Sequence, residues 1–373
     1  MGSKKNHKNL KEKEIKNRKQ SIMEKFRVII CMMFFLQLIQ CQKKDNIMES
    51  LPKYNVQVCH PNPDYGIDLV SDKIKTLEGV YATLPYGGSS GRWGDSSKGW
   101  TEQYGTPIGA DIVYYASYED TFYHLDVDFP VEKMKEMVRR AYAMNYVSVP
   151  PPSLQEYIVT NKNLSFDSYN NPYDGFSDLV FGFAPKGMVV VWLWYGGLTA
   201  VEVGRYQAQI IKDDKELEEK LFADWGAKRD EVRRKWNIPD ASPKEWDDYR
   251  TRYNWRPVLS AEDNAAFIIT YTAWYYNGEK DTMLRPWILS PENRERAIPK
   301  EIQFFWRAGG EQYEGRVFFK WDKMDKILKE KGKTKNDIRF HINKDNKIEV
   351  FLNDEPLEVE SIRVYKSNLD FEI

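Results

Sequence analysis

From Asp178 to Gln209 the chain is a series of apolar runs broken by turn residues. Leu179–Ala184 is aliphatic and aromatic, Pro185-Lys186-Gly187 interrupts it, and Met188–Tyr195 resumes with valine and tryptophan. Gly196-Gly197 turns the chain again, and Val201–Tyr206 alternates valine with glutamate before a basic tip at Arg205. Short β-branched and aromatic runs between such breaks predict three strands of an antiparallel meander. Upstream, Tyr54–Val58 alternates as a strand, and 108–117 and 121–129 predict a strand pair turning at Tyr118-Glu119-Asp120. Pro130 opens a predicted helix over Val131–Tyr142, with Met134, Met137, Val138 and Ala141 at helical spacing. Tyr146–Ser177, with Pro150-Pro151-Pro152, predicts an irregular excursion. Over Asp213–Trp236 a stripe of Leu217, Leu221, Trp225, Val232 and Trp236 predicts one helix, ended by Pro239 and Pro243.

The apolar frame of this region recurs downstream. Displaced by 190 residues, Ile112, Tyr115, Tyr123, Val127 and Phe129 meet Ile302, Phe305, Tyr313, Val317 and Phe319. Displaced by 159, Asp178, Phe181, Val191, Val203 and Tyr206 meet Asp337, Phe340, Val350, Ile362 and Tyr365. The change of offset puts the extra residues of the first copy in the Pro/Asn-rich excursion, where insertion is cheapest. The expected architecture is α+β and β-dominated. Two related antiparallel-sheet units, each with a helix, are joined by a helical linker. The first unit spans 53–211, the linker 212–248 and the second, degenerate unit 249–373.

The N-terminus reads as an address. Residues 1–22 are a lysine-rich polar extension that cannot bury a core, with translation expected to begin at Met23. From there Lys25 and Arg27 precede the apolar stretch Val28–Leu36, well short of the roughly 20 residues needed to span a bilayer. The run ends Leu38-Ile39-Gln40-Cys41, which resembles the lipobox of bacterial lipoproteins, with Gln40 bulkier than the usual small residue. The resemblance implies a signal peptide over 23–41, lipidation of Cys41 and a short tether over 42–52. The membrane partner is then engaged through a lipid anchor in the outer membrane, with no transmembrane helix.

Charge supports a separate body. The chain of 373 residues has a formal net charge of -1. Ten of its 55 Lys and Arg but only three of its 56 Asp and Glu fall in residues 1–41, leaving 45 against 53 in the remainder. An acidic body without a basic stripe argues against a nucleic-acid partner. Cys59 is the one cysteine of the body, which excludes a disulfide framework, and the four histidines have no paired spacing. No metal site and no cofactor are expected.

The runs YYASYEDTFYHLDVDFP, LVFGFAPKGMVVVWL and EVGRYQAQ resemble the bacterial family called domain of unknown function 2931. Tyr115, Ser117, Glu119, Phe122 and Tyr123 fit its first motif, with Tyr115 in place of a tryptophan. Gly187, Val189, Val191 and Trp192 fit the second, and Glu202–Arg205 the third. The second copy keeps the apolar frame but has Gly309 where Glu119 stands and Ser361-Ile362-Arg363-Val364 for Glu-Val-Gly-Arg. Membership implies a Gram-negative envelope lipoprotein without an assigned reaction, in a group linked to protection against envelope-directed toxins.

Four groups of residues could carry chemistry. Gly87-Gly88-Ser89-Ser90-Gly91 has the spacing of a hydrolase nucleophile elbow, which requires a strand before it and a helix after it. Arg92-Trp93-Gly94-Asp95 has no helical period, so a surface loop is the better reading. Asp126 and Asp128 share a strand face, where paired carboxylates could do acid–base work or simply meet solvent. Glu119, Glu202 and Arg205 could line a binding site, but an internal Glu–Arg pair fixing the strands is favoured. Trp192, Trp194 and Tyr195 could build an aromatic platform but suit a core better, whereas Trp93 and Trp100, in a Gly/Ser loop, are the candidates for exposed contacts. No convergent catalytic set is found. The expected function is a non-catalytic binding protein of the envelope with a protein partner, such as an immunity protein against an envelope-directed toxin. A glycan- or peptidoglycan-binding lipoprotein is the alternative, and a hydrolase using Ser89 the third reading.

Overall fold

A computed structural model describes residues 51–368, apart from 97–99, 147–175, 196–198, 263–266, 285–287, 289 and 333. The basic extension, the signal peptide with Cys41, nearly all of the tether and most of the 146–177 excursion lie outside the described residues.

The meander consists of β6 (Phe176–Ala184), β7 (Met188–Tyr195) and β8 (Thr199–Gln207), each antiparallel to the next. β7 lacks polar alternation because both of its faces are covered. Val189, Val191, Leu193 and Tyr195 enter one apolar core, and Met188, Val190 and Trp192 enter another. On the far side of β6, β1 (Lys53–Cys59) runs parallel to it, and β3 (Trp100–Tyr104) closes that edge. The sheets are therefore not antiparallel throughout, because a long crossover separates β1 from β6.

That crossover carries a second sheet, made of β2 (Ile67–Thr76), β4 (Pro107–Ala116) and β5 (Thr121–Asp128), and joined later by β9 (Gln209–Ile210). Helix α1 (Val131–Tyr146) starts directly after Pro130. Its Met134, Met137 and Val138 enter the core that Ile112 and Leu125 share with Phe181 and Val191 of the other sheet.

The single helix expected over 213–236 is two, α2 (Lys215–Trp225) and α3 (Arg229–Trp236). Gly226 takes a left-handed φ of 61° and ends α2. Leu217, Leu221, Phe222 and Val232 pack with Tyr115 and Phe122, while Trp225 and Trp236 of the predicted stripe are left exposed. Arg229 ties both helices to the β4–β5 turn, donating to Asp120 at 2.6 Å, Asp214 at 2.7 Å and Glu218 at 3.0 Å. A short helix, α4 (Lys244–Tyr249), follows.

The second half contains β10 (Arg252–Ala261), β11 (Phe267–Tyr275), β12 (Lys280–Leu284), β13 (Arg294–Ala297), β14 (Pro299–Ala308) and β15 (Glu311–Phe318). Then come α5 (Trp321–Lys331), β16 (Asn336–Ile342), β17 (Ile348–Leu352), β18 (Glu355–Pro356) and β19 (Ser361–Lys366). β10 runs parallel to β16 as β1 does to β6. After β17 the chain pairs with it through β18 and then crosses to β15 through β19, as β8 pairs with β7 and β9 with β5.

The β4–β5 hairpin turns over 117–120, whereas β14–β15 turns over Gly309-Gly310 alone. The stacked pair Tyr114–Tyr123, at 5.3 Å, therefore corresponds to Trp306–Tyr313, at 5.4 Å. Along β14 the match sits two residues beyond the 190-residue offset read from the sequence. Glu119 has no counterpart because its turn is shorter there.

One sheet runs through both halves in the order β19-β15-β14-β11-β12-β8-β7-β6-β1-β3, and the two are stitched where Lys280 of β12 pairs with Ala200 of β8. A separate sheet, β13-β10-β16-β17-β18, covers the second core. Among the described residues no helix is long and apolar enough to cross a membrane.

Candidate functional site

Glu119, Glu202 and Arg205 belong to one chain of hydrogen bonds and ion pairs. The Glu119 side chain is 5% exposed, and its carboxylate accepts from the Lys186 backbone N–H at 3.0 and 3.1 Å and from Tyr123 Oη at 2.9 Å. Lys186 sits in the β6–β7 turn with a positive φ of 58°, so Glu119 holds a strained turn in place. From the same residue the carbonyl accepts from Gln207 Nε2 at 2.6 Å, and Gln207 Oε1 accepts from Arg205 Nη1 at 2.9 Å.

Glu202 and Arg205 differ by three in a strand yet share a face. The register shifts so that Val191 opposes Gly204 and Trp192 opposes Glu202, leaving Val203 as a bulge residue. Arg205 opposes Val190 and Glu202 opposes Trp192, so both project toward α4. They do not pair with each other as expected. Arg205 donates twice to Asp247 of α4, at 3.1 and 3.1 Å. Glu202, with its side chain 8% exposed, accepts from Arg250 at 2.7 and 3.0 Å. Its backbone N–H continues the path across the seam to Glu279, which also holds Arg252 at 2.8 Å. All three candidate polar residues are consumed in joining strands, α4 and the second half.

Trp93 is a correction. It is half-buried rather than exposed, packed edge-on against Trp192 at 5.0 Å with Trp246 at 6.4 Å. Its loop docks on the β11–β12 turn, where a Cβ on Gly94 would lie 2.4 Å from the Gly278 carbonyl oxygen. Trp100 starts β3 opposite Val56 rather than lying in a loop, and its side chain is outside the described residues. Trp192 and Tyr195 are buried, as a core requires, and Trp194 is half-buried under the Lys280 ammonium at 5.9 Å.

Ser89 has a partner that the sequence did not signal. Its hydroxyl hydrogen-bonds His60 Nδ1 at 2.9 Å, with the donor set by the imidazole tautomer, and accepts the Ile67 N–H at 3.0 Å. His60 is buried, and burial lowers its pKa. The adjacent Ser89 and Ser90 N–H groups donate to the Ile67 and Val58 carbonyls, which removes them as oxyanion donors. Residues 92–95 close a turn rather than a helix, so the surroundings of a nucleophile elbow are not formed there. Asp126 and Asp128 both accept from Lys75, at 2.7 Å each.

The feature that sequence reasoning missed is a cleft of about 770 Å³ between α4 and the start of α5. Its rings are Tyr65, Trp246, Tyr249, Tyr276 and Trp321, contributed by four separate stretches of chain. Tyr249 packs on Tyr276 at 5.0 Å and on Trp321 at 5.5 Å, and Tyr65 packs on Trp246 at 5.4 Å. Asp240, Glu245, Asp248, Asp322 and Glu360 line it against only Lys244 and Lys320. Lys244 is paired with Asp248. Asp240, Asp322 and Glu360 make no ion pair among the described residues. The indole N–H of Trp321 is buried without a partner.

These features define a β-dominated α+β protein whose conspicuous polar residues serve its architecture and which carries, among its surface pockets, an acidic, aromatic cleft. A family model described as protein of unknown function (DUF2931) matches residues 41–253, and the chain belongs to that family. The match runs beyond 211 through all three linker helices, and so includes Asp247 and Arg250, the partners of Arg205 and Glu202. No curated protein and no solved structure matches the chain.

Proposed function

We propose that this protein is a non-catalytic binding protein of the Gram-negative envelope, built from two related units and held at the outer membrane by a lipid on Cys41. Its cleft between α4 and α5 receives a basic segment of a protein partner, such as an envelope-directed toxin that it neutralises. The observation that carries this reading is the composition of the cleft, five carboxylates against two ammonium groups around five aromatic rings. Carboxylates attract Lys and Arg, and the ring faces of Trp and Tyr bind the same cations once they are desolvated. The acidic balance of residues 42–373 acts in the same direction over longer range.

A second reading draws on the rings alone, since Trp and Tyr faces also stack on sugars, and it makes the protein a glycan- or peptidoglycan-binding lipoprotein. The two separate in a crosslinked pull-down of the lipid-anchored protein from native envelopes, with Asp322→Lys/Glu360→Lys and Trp321→Ala run in parallel. One stoichiometric basic protein, lost with the charge reversals, supports the first reading. Polysaccharide lost with Trp321→Ala but retained after charge reversal supports the second. Recovery that no cleft variant alters overturns both.

A further inference from the structure

β19 forms one end of the sheet that runs through both halves, and its outer edge pairs with no strand among the described residues. Other sheet ends are guarded. β9 and β18 are two residues long, and β2 is lined by the 82–88 segment through bridges at Ile74–Ala82 and Asp68–Gly88. β19 has six residues, no proline, and an unbroken register against β15 from Ser361 to Lys366.

The register shows which of its backbone groups are free. The Ser367 N–H donates to the Gln312 carbonyl at 2.9 Å, in step with the pairing of Lys366 to Tyr313. Hydrogen-bonded pairs alternate along an antiparallel ladder, so Arg363 and Tyr365 also turn their N–H and C=O groups toward β15. Those of Ile362, Val364 and Lys366 point away from it, in a row that a further strand can pair.

The side chains select that strand. Ile362 stands beside the buried Val317, and Val364 beside Gly315, where the Ile348 side chain packs, so both carry the apolar layer of the second core out to the edge. They are nevertheless 38% and 37% exposed, and Tyr365 on the other face is 45% exposed. Arg363 lies on that other face, 5.0 Å from the centre of the Phe318 ring, and makes no ion pair among the described residues. The neighbouring cations are engaged, Arg316 by Glu301 and Lys366 by Glu311. Opposite Ile362 and Val364 an incoming strand needs apolar side chains. Opposite Arg363, in a pair without hydrogen bonds where side chains approach closest, it needs a carboxylate.

We propose that the free edge of β19 is a docking site for an extended segment of a partner protein, one that carries a carboxylate between two aliphatic residues and adds a further strand to the sheet. The site uses none of the rings of the cleft and goes beyond the basic-segment reading.

The test is a fluorescence-anisotropy titration of the full chain, up to millimolar concentration, with the labelled heptapeptide Thr-Val-Thr-Val-Glu-Val-Thr. Laid antiparallel to β19, it sets its glutamate opposite Arg363 and its valines opposite Ile362, Val364 and Lys366. It binds saturably and one-to-one. N-methylation of the three valines, whose N–H groups face β19, abolishes binding to the unaltered protein. Val364→Pro, which removes an N–H that β15 does not use, weakens it tenfold or more. Arg363→Glu does the same and transfers the preference to the peptide with lysine in place of glutamate. Trp321→Ala in the cleft leaves the affinity unchanged, so failure of the cleft reading does not affect this result. Absence of saturable binding, or binding that survives N-methylation, overturns the proposal. So does self-association of the full chain that Val364→Pro abolishes, which would assign the edge to a second copy. Binding seen only after removal of residues 369–373 would assign it to the chain's own C-terminal segment and overturn the proposal equally.

Discussion

Arg205 on β8 grips Asp247 on α4 through two hydrogen bonds of 3.1 Å, from Nε and Nη2 to the two carboxylate oxygens. The fork geometry requires a guanidinium, since an ammonium makes one such contact at a time. Both side chains are partly solvated, so the coupling is modest, about 0.5–1 kcal/mol in a double-mutant cycle of Arg205→Ala and Asp247→Ala under urea. Arg205→Lys recovers less than half of it. A coupling near zero would mean that the pair is incidental to the docking of α4.

Glu202 and Arg250 behave differently because the carboxylate is almost completely buried. Arg250→Ala strands a buried charge and destabilises by about 3 kcal/mol, whereas Glu202→Gln in the same background restores a large part of the loss by removing that charge. Equilibrium urea denaturation of the two single variants and the double variant checks this. Additive losses would show that water reaches Glu202.

Asp68 on β2 titrates in an accessible range. Burial pushes its carboxyl up to about 6, against an ordinary value near 3.8. A carboxyl whose folded pKa is raised favours the folded state most when protonated. Its stabilising effect is therefore complete below about pH 4 and is lost as pH rises toward 6. Relative to Asp68→Asn, the native protein loses on the order of 2 kcal/mol between those limits. Melting curves of both proteins from pH 4 to 7 should diverge in that window, and parallel curves would place Asp68 in contact with solvent.

Much of the fold was legible because local pattern and tertiary burial agree. β7 was found to the residue, since Met188–Tyr195 is apolar on both faces and both faces are covered. The β4–β5 hairpin and the start of α1 were equally clear from alternation and from Pro130. β2 escaped because Asp68, Ser71, Asp72, Lys73 and Lys75 dilute its alternation, and the α2–α3 break escaped because Gly226 sits inside an otherwise continuous stripe. At the candidate site, Glu119, Glu202 and Arg205 could be singled out from the motifs, but their contacts are with Lys186, Asp247 and Arg250, and the last two lie beyond those motifs. The aromatic cleft left no linear trace at all. Tyr65, Tyr276 and Trp321 become neighbours only when the two halves and α4 are assembled.

The closeness of that assembly can be tested at one atom. Gly94 takes a φ of 80°, and a Cβ there would lie 2.4 Å from the Gly278 carbonyl oxygen and 2.7 Å from its Cα, both of them backbone atoms that cannot swing aside. Gly94→Ala must therefore push the Trp93 loop off the β11–β12 turn and loosen Trp93 from Trp192. Gly79 provides the control, because it has a comparable φ of 70° but nothing within 4 Å of an added Cβ. Its replacement by alanine carries the backbone strain alone, about 1 kcal/mol. Gly94→Ala adds the clash, for a total of about 2–4 kcal/mol, and shifts tryptophan emission to the red as Trp93 becomes wetter. Equal losses at the two positions, with unchanged emission, would mean that the loop is not seated on the second half in solution.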